Sequence, residues 1–238
     1  MIFDKCDWLV NPYDSINFNN LPHGIIINGP RGVGKKLLAK KISEKIISNF
    51  QEKLNNDHQN LFDKNNHPDF YLLDKDKYLL KDIRRQKKDS KNWDEEKGFN
   101  DVVSFLTLTP STSKNKVVCM INADTMNNIA QNALLKSLEE PAPYSYIIMT
   151  TSRSKALNQT IYSRCQVINI PFLSSSKIND WLQDNGINDF SSIDFPSFAT
   201  PFSILDDIQS DRQNCYKEFI SILVDFISQK IDQNQAIK

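Results

Sequence analysis

The sequence predicts an α/β fold, a mostly parallel sheet with helices on both faces, followed by smaller helical pieces. Three observations carry that prediction. A short β-branched run, Gly24–Asn28 (GIIIN), enters a glycine turn and then a segment of helical period. Two further apolar runs, 117–121 and 146–150, flank the most regular helical pattern in the chain. A last run, 166–170, follows Ser163-Arg164-Cys165 and closes the series. Strands that alternate with helices pair in parallel and bury both faces of their sheet.

The elements follow in order. In residues 35–50, Leu38, Ile42 and Ile46 recur at four-residue steps beside Ala39, Ile47 and Phe50, which predicts an amphipathic helix. Residues 51–66 are rich in Asn, Asp and Lys and read as an exposed loop. Residues 69–73 (DFYLL) read as a strand. A helix is expected from about Lys81, then a solvated insertion over 89–100 and a helical segment over 102–108 that ends before Pro110. Residues 111–115 turn the chain into the 117–121 strand. After it, Met126, Ile129, Ala130, Ala133, Leu134 and Leu138 fall at i, i+3, i+4, i+7, i+8 and i+12. Asp124 or Thr125 is expected to cap that helix, and Pro141 prevents its continuation. Beyond Pro171 the texture changes to serine-rich turns and short helices: 174–185 around Ile178, Trp181 and Leu182, scattered apolar residues over 195–208, and 216–231 with a face of Phe219, Ile220, Leu223, Phe226, Ile227 and Ile231. The expected division is 1–171 for the α/β domain, 172–206 for a small helical lid and 207–238 for a short helical end.

Composition narrows the function classes. Lys+Arg and Asp+Glu are equal at 29 each, so overall charge gives no case for nucleic-acid or membrane binding. The basic run 81–91 has acidic neighbours and reads as a solvated surface. The cysteines Cys6, Cys119, Cys165 and Cys215 are far apart, which offers neither CxxC zinc ligation nor a disulfide framework. His23, His58 and His67 lack triad or metal spacing. No run approaches the roughly 18 apolar residues of a membrane span. A soluble cytoplasmic protein without zinc is the expectation.

Three places carry chemistry. Residues 29–36 (GPRGVGKK) fit G-x-x-x-x-G-K, but Lys36 stands where a phosphate loop needs Ser or Thr. Gly29, Gly32 and Gly34 would let backbone N–H groups face a phosphate, Lys35 would reach the outer phosphates, and the usual magnesium ligand is missing. The alternative is a tight turn kept for packing. The second place is the end of the 117–121 strand, where an ATPase carries an acid for the metal and another to orient water. Here Ile121 and Asn122 occupy it, and Asp124 falls after the strand. The third is Arg164, with Ser163 beside it at the end of the sheet: either a guanidinium in a surface salt bridge or a cation for a neighbour's γ-phosphate. Cys165 reads as a small buried hydrophobe rather than a nucleophile.

Asn132-Ala-Leu-Leu-Lys-Ser-Leu-Glu-Glu-Pro141 together with Ser163-Arg164-Cys165 resembles the bacterial clamp-loader subunits of the AAA+ class. Residues 116–123, His67-Pro68-Asp69 and Thr109-Pro110-Ser111 fit the same pattern, and the likeness covers about residues 21–171. It implies an AAA+-type phosphate-loop sheet, a helical lid and a helical collar, here reduced or shortened to about 207–238. With Lys36, Ile121 and Asn122 in place, the likeness is to the stator type. Such a subunit does not hydrolyse ATP itself and offers the arginine of its SRC motif, here Arg164 with Ser163, to an adjacent motor subunit. The implied partners are the motor (gamma/tau) and delta subunits, and through them the sliding clamp and primed DNA, within a DNA-directed DNA polymerase holoenzyme. No cofactor is required, and zinc is not expected. An autonomous phosphate-loop ATPase or kinase, and a structural adaptor without clamp-loading activity, are the alternatives.

Overall fold

The computed structural model describes residues 3–49, 54, 56–84, 101–210 and 212–228. The insertion expected at 89–100, most of the basic run, Phe50 and Ile231 lie outside the described residues. The chain divides into two compact units, one of Asp7–Gly29 and Lys35–Ile170, the other of Met1–Cys6, Pro30–Gly34 and Pro171–Lys238.

Among the described residues, the larger unit is built on five strands: β1 (Gly24–Asn28), β2 (Phe70–Asp74), β3 (Lys116–Ile121), β4 (Ser145–Thr151) and β5 (Gln166–Asn169). Their order is β2-β3-β4-β1-β5 and every pair is parallel. Among the described residues, seven helices belong to this unit: α1 (Asp7–Asp14), α2 (Lys35–Ile47), α3 (Asn56–Asp63), α4 (Leu80–Ile83), α5 (Val102–Thr107), α6 (Asn128–Glu139) and α7 (Gln159–Tyr162). The sheet is parallel because each described crossover returns the chain to the same end through helical segments. This is the parallel α/β sheet with flanking helices that the sequence predicts. β3 is buried along its whole length and β1 along all but its last residue, as strands covered on both faces must be. Ile26, Val118, Met120, Ile147 and Met149 meet Tyr78, Phe105, Leu134, Leu138 and Ile161 in one core. Each such side chain contributes about 1.5–3 kcal/mol by leaving water.

Two parts of the sequence reading are corrected here. The stretch read as an exposed loop contains α3. One aromatic anchors it: Phe62 is buried and its ring lies 4.5 Å from that of Phe70 on β2. The other correction concerns α6. Its cap is Asn127, whose side chain accepts from the Ala130 N–H at 2.8 Å, and neither Asp124 nor Thr125. Those two lie in a separate 3-10 turn, Ala123–Thr125, after Asn122 turns the chain in the left-handed region at φ 56. The helix therefore starts later than periodicity suggests. Met126 precedes it, and Ile129 is 63% exposed rather than on the buried face.

His67, Asp69 and the turn after α5 form one polar node. The Asp69 N–H donates to Nδ1 of His67 at 3.1 Å, so the neutral ring carries its proton on Nε2 and gives it to Nδ1 of His58 at 2.9 Å. Burial holds the His67 pKa below its ordinary value and so keeps the ring neutral. The Asp69 carboxylate accepts from the N–H groups of Ser111, Thr112 and Ser113 and from the hydroxyls of Thr112 and Ser113. Burial opposes its charge, but these donors outweigh it and lower the pKa. The HPD and TPS motifs thus meet at the Asp69 carboxylate through Ser111.

The smaller unit contains α8 (Ser175–Asp184), α9 (Pro201–Gln209) and α10 (Gln213–Ile227). Ser174 caps α8, which buries Ile178, Trp181 and Leu182, and the Trp181 ring lies 5.4 Å from Phe202 of α9. Residues 30–34 belong to this unit and are fastened to the start of α9. The Thr200 hydroxyl donates to the Arg31 carbonyl at 2.8 Å, and the Phe202 N–H donates to the Gly32 carbonyl at 3.0 Å. The apolar face read on the last helix exists, but Phe219, Ile220, Leu223, Phe226 and Ile227 are all exposed.

Two stability predictions follow from these contacts. Asp69→Asn removes the charge that five donors address and is expected to cost about 2 kcal/mol in urea unfolding. Because the folded pKa of Asp69 is lowered from 3.8, its contribution is present above that value and is lost as pH falls through the lower folded one. The acid limb of the stability profile should flatten in the variant. Gly32→Ala is expected to destabilise by more than about 1 kcal/mol. The φ of +75 alone accounts for that much, and the added Cβ would also clash with the Thr200 hydroxyl oxygen. Replacing Thr200 by Ala in the same chain should recover only the part due to that hydroxyl, measurable in a double-mutant cycle, since Ser203 N and Cβ would still lie 3.0 and 3.1 Å from the added carbon.

Candidate functional site

The glycine loop leaves β1 at the C-terminal end of the sheet, where parallel α/β sheets place their ligands. Gly29 has no room for a side chain, since a Cβ there would lie 2.8 Å from the Ile170 carbonyl oxygen as the chain leaves β5. Gly32 and Gly34 have positive φ, at 75 and 96. Lys35 opens α2 and is buried; its Nζ donates to the Gly29 carbonyl at 2.8 Å and to the Ser152 hydroxyl at 2.9 Å. Ser152, just past β4, is a partner that sequence reading missed. Only the parallel register, which carries β4 beside β1, brings it there.

Lys36 occupies the position of the missing hydroxyl and pairs with Asp74 at 2.6 Å. Asp74 ends β2 and stands in register with Ile121 of β3. The carboxylate in register with Ile121 is thus engaged by Lys36. Ile121 offers no oxygen from its side chain, and the Asn122 N–H is given to the Thr150 hydroxyl at 3.0 Å. Asp124 takes Nε of Arg153 at 3.0 Å, while its carbonyl accepts from Arg153 Nη2. A magnesium ion bound with a nucleotide seeks oxygen ligands in near-octahedral geometry. Lys36, Ile121 and the pairings of Asp74 and Asp124 supply a poor set for it. Among the described residues, no group of three or more His, Cys, Asp and Glu side chains is arranged to hold a metal ion.

Arg164 lies at the other end of the sheet. Ser163 closes α7, and β5 begins two residues beyond Arg164. Gly24, the first residue of β1, makes room for this turn: a Cβ there would lie 2.6 Å from Cys165 Sγ and 3.4 Å from the Arg164 carbonyl oxygen. Burial raises the Cys165 thiol to a pKa of about 12, so it is an inert packing group. From Gly24 to the loop at Gly29 the strand runs about 16 Å. The Arg164 backbone is therefore a strand length away from this chain's own loop.

Helix α6 carries the Arg164 turn from both of its ends. Near its start, the buried Gln131 accepts the Asn158 N–H at 2.7 Å and donates to the Met126 carbonyl at 3.1 Å. At its last residue, Glu139 pairs with Arg164 Nη2 at 2.8 Å. Arg164 Nη1 donates to the Thr160 carbonyl at 2.8 Å and to the Ser163 hydroxyl at 3.2 Å, while Ser163 itself donates to that carbonyl at 3.0 Å. Of the two sequence readings of Arg164, the structure shows the surface salt bridge, and the paired side chain is 34% exposed. The decapeptide motif and the SRC motif meet through Glu139, a contact that their spacing in sequence does not reveal.

No helix among the described residues is long and apolar enough to cross a membrane. A family model described as DNA polymerase III, delta subunit, matches residues 11–174. The DNA polymerase III subunit delta′ of Haemophilus influenzae is 30% identical over 164 residues, covering 68% of this chain and 46% of that protein. Its counterpart in Buchnera aphidicola subsp. Schizaphis graminum is 27% identical over 228 residues, covering 88% of this chain and 65% of that protein. The chain thus spans about half to two thirds of the length of these relatives. The DNA polymerase III subunit gamma/tau of Mycoplasma genitalium is 33% identical over 174 residues, covering 72% of this chain and 27% of that protein. A solved structure from Thermotoga maritima, described as a DNA polymerase III, gamma subunit-related protein, aligns with 80% of this chain and 56% of its own at a TM-score of 0.47 and 19% identity. Matched by that family model over most of its length, the chain belongs to the DNA polymerase III delta-subunit family.

Proposed function

We propose that this chain is a cytoplasmic, non-hydrolysing stator of a DNA polymerase III clamp loader of the delta′ type. It helps to place the sliding clamp on primed DNA, in company with gamma/tau motor and delta subunits. Arg164 is its catalytic contribution, made to ATP held by an adjacent motor subunit. The observation that carries this reading is the position of the Arg164 turn beside Gly24, at the opposite end of β1 from the chain's own glycine loop. An arginine so placed serves a phosphate presented by another molecule better than one at Gly29. There, a guanidinium aimed at the γ-phosphate offsets the charge that builds on its oxygens in the transition state.

The chain's own loop is proposed to hydrolyse nothing. Lys36 in its ion pair with Asp74, together with Ile121 and Asn122, supports that reading against an autonomous ATPase or kinase. No step is assigned to a nucleotide at residues 29–36, and no zinc is assigned to the chain.

The test is the reconstituted complex. Arg164→Ala is expected to slow ATP turnover at the adjoining motor site by about 10³-fold or more while assembly, followed by gel filtration, is unchanged. Arg164→Lys should recover little, because an ammonium lacks the planar fork. Full turnover by the alanine variant in an intact complex would refute the role.

A further inference from the structure

We infer that Glu139 is a positioning residue for Arg164: it holds the guanidinium in one orientation, ready for a phosphate carried by a neighbouring subunit. The inference rests on the reading of Arg164 given above. It starts from the donor count. A guanidinium has five N–H donors. Nη1 is engaged by the Thr160 carbonyl and the Ser163 hydroxyl, and Nη2 by Glu139. These three acceptors approach from both terminal nitrogens and fix the plane of the group. Nε–H and the second hydrogen of Nη2 remain open to an incoming anion among the described residues.

An arginine side chain that is one third exposed otherwise samples many rotamers, and freezing it at the moment of reaction raises the barrier. Thr160 and Ser163 belong to the same turn as Arg164 and move with it. Among the described residues, Glu139 alone ties the guanidinium to a different element, α6, which also grips the start of the turn through Gln131 and Asn158. Its carboxylate is the last residue of α6, so the arginine cation also sits near the negative end of that helix. The pair is partly solvated on both sides, at 34% and 46% exposure, so it orients the arginine without locking it away from a phosphate.

Three single variants and one double variant in the reconstituted complex test this. Glu139→Ala removes the acceptor and is expected to lower the turnover number at the adjoining site about fivefold, with KM for ATP unchanged, because the neighbour binds the nucleotide. Glu139→Gln keeps an oxygen acceptor within reach and should restore most of that loss. Arg164→Ala sets the baseline, and adding Glu139→Ala to it should cost nothing further. Turnover by Glu139→Ala equal to the parent, or faster, overturns the positioning role, since a faster variant means that the carboxylate competes with phosphate. So does equal loss in Glu139→Ala and Glu139→Gln. If Arg164→Ala is itself silent, the reading of Arg164 fails, which is a different outcome from a silent Glu139→Ala beside an impaired Arg164→Ala.

Discussion

The close approach of β5 to both ends of β1 is the constraint on which the rest of the larger unit depends. β1 begins and ends against glycine. Gly24 lets the Arg164 turn lie on the strand's entry, and Gly29 lets Ile170 pass over its exit. At either position a Cβ would fall inside contact distance, in one case against a backbone oxygen that cannot swing away. One strand therefore fixes two chemically unlike places: a glycine loop at its C-terminal end and a paired arginine at its N-terminal end. The parallel register on both sides of β1 keeps them apart.

At the loop end, the substitutions agree with one another. Lys36 brings a cation where a hydroxyl is expected, and Asp74 answers it from the neighbouring strand end. Lys35 gives protons to Gly29 and Ser152, and the loop tip gives two carbonyls to the start of α9. A loop built to receive phosphate presents its N–H groups outward and keeps oxygen ligands for magnesium. Here Lys35, Lys36 and two loop carbonyls have partners within the chain. The arginine end is different, because its contacts leave donors open.

Periodicity and turn chemistry revealed most of the sheet. β1 falls on the residues read from GIIIN, and β3 and β4 extend their runs by a residue or two, because burial on both faces leaves no alternative for β-branched runs of that length. The misreadings have local causes. α3 carries so many polar residues that its one anchor, Phe62, does not register as a period. Asn122 adopts a left-handed turn that delays α6, which shifts the cap to Asn127 and turns Ile129 outward. At the site, the residue types at 29–36, 121–122 and 163–164 were legible, whereas Ser152, Asp74 and Glu139 were not. Each of those three is joined to its partner across at least 25 residues of sequence by strand order or helix packing. The last helix was legible as a helix, but amphipathic spacing does not say whether its apolar face is covered within the same chain.

The grip of α6 on the following turn makes that helix a gauge of fixed length. Gln131 sets one mark and Glu139 the other, and the same short segment, Asn158 to Arg164, answers to both. A residue added between the marks would advance one of them by about 1.5 Å and turn it by about 100° about the helix axis. No adjustment of side chains restores both contacts after such a rotation. Substitutions along the exposed side of α6 leave the gauge intact, whereas insertions and deletions within it do not, so the helix tolerates change in composition far better than change in length.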